Sequence, residues 1–397
     1  MPDQFQPTNA KQIPQLGASI RHEWLIDWQK LTVNHGSYGA TPRVVLAAQD
    51  DWRRRLEAQP TLFMRQVLPD ALRASAAYLA AFLGAEGKDL VFVDNATVGC
   101  NAVLRSLRLE PGDEILLLDH TYGAVRNSAR YVAERSGARL VEVAVPFPDP
   151  NSDALVANVA AAMTKRTRLA IIDHITSPSA LLLPLERLIA VSHDADIPVL
   201  IDGAHGPGQV TIDLGVLGAD WYVGNCHKWL MAPKGCGFLW ARSDRQSDLH
   251  PVTISHGFSQ GFLEEFDWTG TRDPSAFLAV DAALAFHERL GGVALQRRNA
   301  ALAWQAAELI ADHLGTDVGA RHEFFAAMTL VRLPIGEPAT PERALALRER
   351  LLTEFVTDAP LQALAGSLWV RLSAQAYNEI GDYEALAEIC RKLAESS

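Results

Sequence analysis

The sequence predicts an α/β fold with a mainly parallel central sheet, helices on both faces of that sheet, and a smaller α+β domain towards the C-terminus. Between residues 89 and 242, short runs of apolar and β-branched residues alternate with amphipathic helical segments. Such alternation is typical of a parallel sheet whose strands are buried on both faces. From about residue 275 the pattern becomes mainly helical with a few short strands, which indicates a second domain.

The predicted elements follow one another in a regular order. Helices over 44–59 and around 70–83 come first. The strands of the central sheet are expected at 89–94, 114–119, 139–146, 168–173, 198–202 and 220–224, with a further candidate at 236–242. The helices between them are expected at 101–108, 123–137, 152–163 and 184–195. The second domain has helical patterns at 275–292 and 299–315 and strand patterns at 325–333 and 367–373.

These patterns divide the chain into three parts. The polar, proline-bearing start of the chain predicts an N-terminal arm over 1–30. A large domain is expected over 31–280 and a small C-terminal domain over 281–397, with the boundary placed at the change of pattern. The length of 397 residues supports this division, because a single core rarely keeps growing to that size.

Composition and charge limit the classes of partner. The formal net charge of -11 argues against a nucleic acid or an anionic membrane surface and favours a small molecule. The 4 cysteines have no CxxC spacing, the N-terminus has no secretion signal, and no apolar run reaches the length of a membrane span. We therefore expect a reduced, cytoplasmic protein. The 12 histidines show no metal-binding spacing, so we expect no metal.

Polar clusters follow five of the predicted strands where each strand ends. They read NATVGCN, HTYGA, HITSPSA, GAHGPG and NCHKW in chain order. Each cluster alone is compatible with a simple turn, and Asn95 or Thr97 could merely cap the next helix. In a doubly wound sheet, however, ligands bind beyond the carboxyl ends of the strands. Five polar clusters at such ends therefore predict a ligand site.

The residues in these clusters suit one kind of cofactor. The segment NATVG opens a helix whose N-terminus, with the Thr97 hydroxyl, can hold a phosphate. Asp202 ends an apolar strand, where a carboxylate needs a cation such as a protonated pyridine ring. Lys228 lies among aromatic residues, which favours a neutral, nucleophilic amine. Together these groups predict a site for pyridoxal 5'-phosphate (PLP). Lys234, between proline and glycine, is interpreted as a turn residue.

Several motifs together resemble those of a known family. They are NHGSYGATP, NATVGCNAV, DHTYGAVRN, DGAHGPG, GNCHKWLMAPKGCGFLW, the GT of WTGTRDPS, and VRLSAQAYN. In this order they resemble class V aminotransferase-type PLP enzymes of fold type I, in particular the isopenicillin N epimerase-like branch. The resemblance runs from about residue 31 to 380 and implies that the large domain binds PLP.

The resemblance implies roles for the central residues. Lys228 would form the Schiff base with PLP, and Asp202 would pair with the pyridine nitrogen. His205 would approach the phenolic oxygen of the cofactor or the lysine. Either His120 or Tyr122 would stack on the ring, and the position in the motif favours His120.

The resemblance also implies a wider set of contacts. Further cofactor contacts would come from Asn95, Ala96, Thr97, Ser177, Asn225 and His227. Thr271 would reach the phosphate of the neighbouring subunit, because such enzymes are homodimers with the active site at the subunit interface. Arg371 would bind the substrate α-carboxylate through a bidentate pair. Asn34, His35 and Tyr38 would line the entrance or, equally, form a tight turn that packs the N-terminal arm.

The reaction type stays open at this point. An amino acid substrate is expected, with Lys228 removing the α-proton as general base. Epimerisation, transamination and C–S lysis would all follow from that step, and epimerisation needs a second acid, for which His120, Tyr122 and His35 are candidates. The segment 357–371 lacks the cysteine that cysteine desulfurases carry ahead of their arginine, which disfavours a persulfide mechanism. Cys226 is interpreted as a packing residue.

A different class of enzyme also has a motif in the sequence. GFSQG at 257–261 satisfies the G-x-S-x-G pattern of a serine hydrolase, with Asp267 or Asp281 and His287 or His313 downstream. A nucleophile elbow needs a strong strand before the serine and a helix directly after it. HPVTISH is a marginal strand and FLEEFDWTG is a poor helix start, so this alternative is disfavoured.

Overall fold

The computed structural model describes residues 14–397. Residues 1–13 of the predicted N-terminal arm lie outside this range. The strands are β1 (Leu31–Thr32), β2 (Leu90–Val93), β3 (Glu114–Leu118), β4 (Arg139–Val143), β5 (Thr167–Asp173), β6 (Val199–Gly203), β7 (Trp221–Asn225), β8 (Gly237–Ala241), β9 (Met328–Arg332), β10 (Thr357–Asp358), β11 (Leu361–Leu364) and β12 (Ser367–Ser373).

The helices alternate with these strands through the first two thirds of the chain. They are α1 (His35–Tyr38), α2 (Arg43–Ala58), α3 (Pro60–Leu62), α4 (Leu68–Phe82), α5 (Ala96–Ser106), α6 (Gly123–Ser136), α7 (Ser152–Ala162), α8 (Leu185–His193), α9 (Leu214–Leu217), α10 (Phe262–Asp267), α11 (Ser275–Leu278), α12 (Val280–Arg289), α13 (Val293–Leu314), α14 (Pro341–Thr353) and α15 (Ile380–Glu395). Among the described residues, no helix is both long and apolar enough to cross a membrane.

The central sheet has seven strands in the order β2-β8-β7-β6-β5-β3-β4. The strands β7, β6, β5, β3 and β4 are mutually parallel, and β8 runs antiparallel to both of its neighbours. The predicted α/β fold with a mainly parallel sheet is therefore confirmed. The carboxyl ends of β5, β6 and β7 lie side by side, with Asp173 paired to Asp202 and Asp202 to Val223.

Apolar clusters cover the two faces of this sheet. Along β6, Val199 and Ile201 belong to one cluster, and Leu200 belongs to the other. Alternate residues of a strand point to opposite faces, so a strand buried on both sides must be apolar throughout. Helices α5 and α6 contribute to the cluster that contains Leu200, whereas α4, α8 and α12 contribute to the other.

The C-terminal part is built around a three-stranded antiparallel sheet in the order β11-β12-β9. A third apolar cluster joins this sheet to α13, α14 and α15. The short strand β1 pairs in parallel with β10, which brings residues 31–33 against this part of the molecule. The division into three parts at residues 30 and 280 stays a prediction.

Some element boundaries differ from those predicted. Helix α5 begins at Ala96, within the segment NATVG that was expected to open a helix and ahead of the apolar pattern at 101–108, because the Asn95 side chain caps it by accepting a hydrogen bond from the Val98 amide at 3.1 Å. The helical pattern over 275–292 forms two helices, α11 and α12, instead of one. Residues 250–256 form no strand, so GFSQG lacks the strand that a hydrolase nucleophile elbow requires.

Candidate active site

A cavity of about 530 Å³ opens at the carboxyl ends of β5, β6 and β7. Its lining contains most of the residues predicted for the site. The predicted residues among the lining are Tyr38, Asn95, Ala96, Thr97, Tyr122, Ser177, Asp202, His205, Asn225, His227 and Lys228. The lining also contains Ser37, Asp94, Val98, Asp173, Ile175, Ala204 and Gly235, which were not predicted.

Lys228 follows β7, and its amine faces the cavity. Its Nζ lies 3.0 Å from Nε2 of His205, which follows β6. Burial, and secondly the positive charge of Arg371, lowers the pKa of Lys228 to about 7, whereas the charge of Asp202 opposes this shift. A substantial fraction of the amine is therefore neutral near pH 7, the form that attacks an aldehyde.

The ring of His205 is held from both sides. Its Nδ1 receives a hydrogen bond from Nε1 of Trp229 at 3.3 Å, while Nε2 contacts Lys228. Burial, together with the nearby charges of Lys228 and Arg371, holds the pKa of His205 well below its usual range. This histidine is therefore neutral in the folded protein.

Two carboxyl groups lie side by side in the cavity wall. Asp202 is 3% exposed and accepts a hydrogen bond from the Ala204 amide at 3.0 Å. Asp173, at the equivalent position of β5, is 2% exposed and accepts a bond from the Thr121 hydroxyl at 3.1 Å. Burial raises the pKa of both groups, and the charge of Asp202 raises that of Asp173 further. A cation bound between them would relieve this cost.

Asp173 was missed in the sequence, although the same signal marked Asp202. Both aspartates end apolar strands, AIID and PVLID, and both strands lead into polar clusters. The Asp173 carboxylate also receives a hydrogen bond from the Tyr122 amide, in addition to that from Thr121. It therefore anchors the loop that carries both candidates for stacking on a ring.

The start of α5 forms the proposed phosphate end of the cavity. Thr97, Asn225 and His227 all line this end. The Ala96 amide donates to Oδ1 of Asn225 at 2.8 Å, so a phosphate would have to compete with Asn225 for this donor. His227 contacts the Cys236 carbonyl through Nδ1 at 3.1 Å, which leaves Nε2 as the ring nitrogen for a ligand.

The two candidates for stacking on the ring have different surroundings. Tyr122 lines the cavity and is 46% exposed. His120 is buried and is not part of the cavity lining; its Nδ1 lies 2.7 Å from Oγ of Ser179 and its ring packs edge-on against Phe147. Burial lowers the pKa of His120. Which of the two would stack on a bound ring stays a prediction.

Arg371 lies behind the cavity wall on β12 and is 3% exposed. Its guanidinium donates to the Ser177 carbonyl at 2.5 Å and to the Ser37 hydroxyl at 3.1 Å. Both partners belong to cavity-lining residues, and Nε of Arg371 is buried with no hydrogen-bond partner in the described chain. A buried guanidinium whose hydrogen-bond partners are neutral oxygens can still bind a carboxylate.

The segment predicted for the entrance has two functions in this structure. Tyr38 is 69% exposed at the cavity. His35 is buried instead, with Nδ1 2.8 Å from the Tyr377 hydroxyl and Nε2 2.9 Å from the Lys228 carbonyl. Asn34 is also buried and donates to Asp358 at 2.9 Å. Of the three residues predicted for the entrance, His35 and Asn34 therefore pack behind the cavity, and Tyr38 lines it.

Other predicted residues lie outside the cavity. Thr271 is exposed and lies in the loop between α10 and α11. Lys234 lies after β7, and its amine contacts the Thr41 hydroxyl at 3.3 Å on the outer side of the site. Cys226 is fully buried, in keeping with a packing role.

Comparison with known proteins agrees with this geometry. The family described as "Aminotransferase class-V" matches residues 40–346. An isopenicillin N epimerase of Amycolatopsis lactamdurans is 32% identical over 95% of this chain and 98% of its own. An L-cysteine desulfhydrase of Arabidopsis thaliana is 31% identical over 91% of this chain and 87% of its own.

A solved structure shows the same fold. It is a complex between the cystine C-S lyase C-DES and its reaction product cysteine persulfide, with a TM-score of 0.75 at 23% identity over 92% of this chain and 97% of that chain. The sequence resemblance to isopenicillin N epimerases is confirmed. The chain therefore belongs to the class V aminotransferase family and is a PLP-dependent enzyme of fold type I.

Proposed function

We propose that this enzyme binds PLP through Lys228 and uses the same lysine to remove the α-proton of an amino acid whose β-carbon carries sulfur. The observation that carries this proposal is the position of the Lys228 amine. It faces one cavity together with the paired carboxyl groups of Asp202 and Asp173, and Arg371 lies directly behind the wall.

The residues present fit the cofactor. A protonated pyridine nitrogen would supply the cation that the buried Asp202 carboxylate lacks among residues 14–397. The start of α5, with Thr97 and His227, would hold the phosphate. His205 and Ala204 follow Asp202 in the same turn and would contact the ring. When bound, PLP supplies the electron sink for the bonding electrons of the α-carbon.

The protein's own groups account for the remaining steps. Arg371 would bind the substrate carboxylate through its guanidinium, whose present partners are four neutral oxygens. This places the α-carbon near Lys228, whose neutral amine takes the α-proton. Loss of the β-sulfur as sulfide, with the bonding electrons and a proton, followed by addition of water, would give pyruvate and ammonia.

One feature favours C–S lysis over epimerisation. Inversion at a carbon needs a second acid on the face opposite Lys228. Of the three candidates, both ring nitrogens of His35 are engaged, and Nδ1 of His120 contacts Ser179 outside the cavity lining. Tyr122 therefore remains the candidate for an epimerase, and epimerisation is kept as the second hypothesis.

A persulfide mechanism is disfavoured on separate grounds. All four cysteines are fully buried, and none belongs to the cavity lining. A lyase that releases hydrogen sulfide needs no catalytic thiol. The L-cysteine desulfhydrase relative supports L-cysteine as the first substrate to test.

We further propose a homodimer. The segment that carries Thr271 is exposed beside Arg272, and Arg272 pairs with the cavity residue Asp94. Val252, Ile254 and Phe258 are exposed large apolar side chains of one segment, and Val252 lines a pocket together with Asp94 and Arg272. A second subunit would cover them and add Thr271 to the site of its neighbour. The cytoplasmic location stays a prediction.

The reaction type can be tested by incubating the PLP-loaded protein with L-cysteine, L-cystine and other L-amino acids in deuterated water. We expect sulfide and pyruvate in equal amounts from L-cysteine. Release of D-amino acid without sulfide would replace the lyase proposal by the epimerase. Tyr122→Phe is the matched variant: it should leave sulfide release intact, whereas an epimerase that uses the phenol would lose inversion.

A further inference from the structure

Two consecutive residues bond the two ring nitrogens of one buried histidine. Nζ of Lys228 lies 3.0 Å from Nε2 of His205, and Nε1 of Trp229 lies 3.3 Å from Nδ1 of the same ring. Trp229 is 1% exposed and His205 is 2% exposed, so the contact between their rings is shielded from water, whereas Lys228 lines the cavity. The three side chains form a short hydrogen-bond chain.

The chemistry of the indole decides the direction of every bond in this chain. An indole N–H can only donate, so Nδ1 of His205 must accept and carries no proton. A neutral imidazole then carries its single proton on Nε2. That N–H points at Nζ of Lys228, which must accept it with a lone pair.

Only the neutral form of the lysine satisfies this arrangement. An ammonium group has three donors and no lone pair, so it would face the N–H on Nε2 donor to donor. Moving the imidazole proton to Nδ1 would create the same conflict with the indole of Trp229. Without the indole, the imidazole proton could move to Nδ1 without a donor-to-donor conflict. A charged Lys228 could then donate to Nε2.

We propose that Trp229 is a positioning residue that fixes the tautomer of His205 and thereby stabilises the neutral amine of Lys228. Most other groups around His205 and Lys228 also favour the neutral forms of these two side chains. Arg371 and His227 face His205, burial and Arg371 favour the neutral lysine, and Asp202 alone opposes it. The use of this amine in Schiff-base formation rests on the proposed function, but the hydrogen-bond chain does not.

The protonation of Lys228 can be measured in the full chain freed of cofactor. Competitive labelling with acetic anhydride across a pH series, followed by mass spectrometry of the Lys228 peptide, gives the midpoint at which the amine loses its proton. Trp229→Phe keeps an aromatic ring but removes the donor. We expect its midpoint to rise by roughly one pH unit, about the worth of one hydrogen bond, with about tenfold fewer neutral amines below the midpoint.

Two controls separate this effect from general disturbance. Trp369→Phe removes an indole that is 2% exposed and donates to the Leu364 carbonyl at 3.0 Å, and it should leave the Lys228 midpoint unchanged. In a His205→Phe background, Trp229→Phe should produce no further shift, because the effect acts through the imidazole. An unchanged midpoint in Trp229→Phe, or a shift that persists without His205, would overturn the proposal.

A second measurement covers the case in which Trp229→Phe does not fold. In the unaltered protein labelled with nitrogen-15 histidine, the proposal requires that Nδ1 of His205 carry no proton and that Nε2 carry one. A protonated Nδ1 would overturn it. Both measurements read the protein without PLP, so a failure of the proposed lyase activity would leave their outcome interpretable.

Discussion

Buried carboxyl groups lie at both ends of the central sheet, and they differ in whether neighbouring side chains compensate their charge. Asp220, which precedes β7 at the amino end, is fully buried and contacts two arginines and a histidine. Its oxygens lie 3.0 Å from Arg242, 2.8 Å from Arg245 and 2.8 Å from His193. It also accepts a hydrogen bond from the Val199 amide at 2.8 Å. Side chains and a backbone amide of the protein itself therefore compensate the charge of Asp220.

The carboxyl end of the same sheet lacks such compensation. Asp202 and Asp173 lie on adjacent strands, and within residues 14–397 neither forms an ion pair with lysine or arginine. Burial without a charged partner is costly for the ionised form of either group, and a bound cation would relieve that cost. We therefore expect Asp220 to contribute to the stability of the fold, and Asp202 and Asp173 to contribute to the binding of a ligand.

Removing the compensated carboxylate should have the largest effect on stability. Asp220→Asn leaves four donor groups facing a neutral amide, two of them on half-exposed arginines, so we expect the free energy of unfolding to fall by about 2–3 kcal/mol. Denaturant unfolding of the PLP-loaded protein measures this loss. The activity per folded molecule should be retained, and a loss of activity at unchanged stability would contradict the comparison.

Removing the uncompensated carboxylate of Asp202 should lower activity and leave stability unchanged. Asp202→Asn would remove the proposed partner of the pyridine nitrogen, so we expect the rate of α-deuteration to fall about 10²–10³-fold. The free energy of unfolding of the cofactor-free protein should not decrease, because an unpaired buried charge has been removed. A stability loss as large as that of Asp220→Asn would show that Asp202 is a structural residue.

These two aspartates also show what the sequence can and cannot predict. Asp202 was predicted because it ends an apolar strand before a polar cluster, and the fold was predicted because each buried strand is apolar throughout. Asp173 has the same local signal, but its pairing with Asp202 depends on strand order, which no local pattern encodes. The sequence likewise does not reveal that His35 packs behind Lys228.

Arg371 illustrates the second limit on prediction. It was identified by a motif resemblance, yet its contacts with Ser177 and Ser37 join residues 194 and 334 positions away in the chain. Such contacts arise only when the C-terminal part packs against the large sheet. The start of α5 was predictable for a local reason, since Asn95 in NATVG is a capping residue, whereas the apolar pattern at 101–108 marks only the later part of the helix.

Arg371 offers a further test, because it is a cation whose partners are neutral oxygens. Arg371→Ala should raise the KM for an amino acid about 10–100-fold, the worth of one hydrogen-bonded charge pair. The yellow colour of the bound cofactor should remain. Arg332→Ala is the matched control, since that arginine lies on the neighbouring strand β9 and pairs with Asp317. Loss of colour in Arg371→Ala would contradict the assigned role.

The smallest expected effect concerns pH. Burial, and then the charge of Asp202, raises the pKa of Asp173, so the folded protein keeps a proton that the unfolded chain releases near pH 4. Stability from this group is therefore lost as pH rises above about 4. Burial lowers the pKa values of His174 and His287 to about 4, so these histidines make stability rise with pH. Their contribution is the same in the unaltered protein and in Asp173→Asn, and therefore cancels when the two are compared.

The comparison is between the cofactor-free protein and Asp173→Asn, by urea unfolding at pH 5 and pH 8. We expect the difference in unfolding free energy to shift in favour of the variant by about 1 kcal/mol at the higher pH. A difference that does not change with pH would mean that Asp173 is ionised at both.

The most direct test of the central claim is reduction of the PLP-loaded protein with borohydride, followed by mass spectrometry of its peptides. Lys228 and Lys234 differ by six positions, but only Lys228 lines the cavity with Asp202 and His205. The yellow absorption should disappear, and a reduced pyridoxyl group should be found on Lys228, in Lys234→Ala as in the unaltered protein. Modification of Lys234 alone, or protein that never binds PLP, would contradict the account.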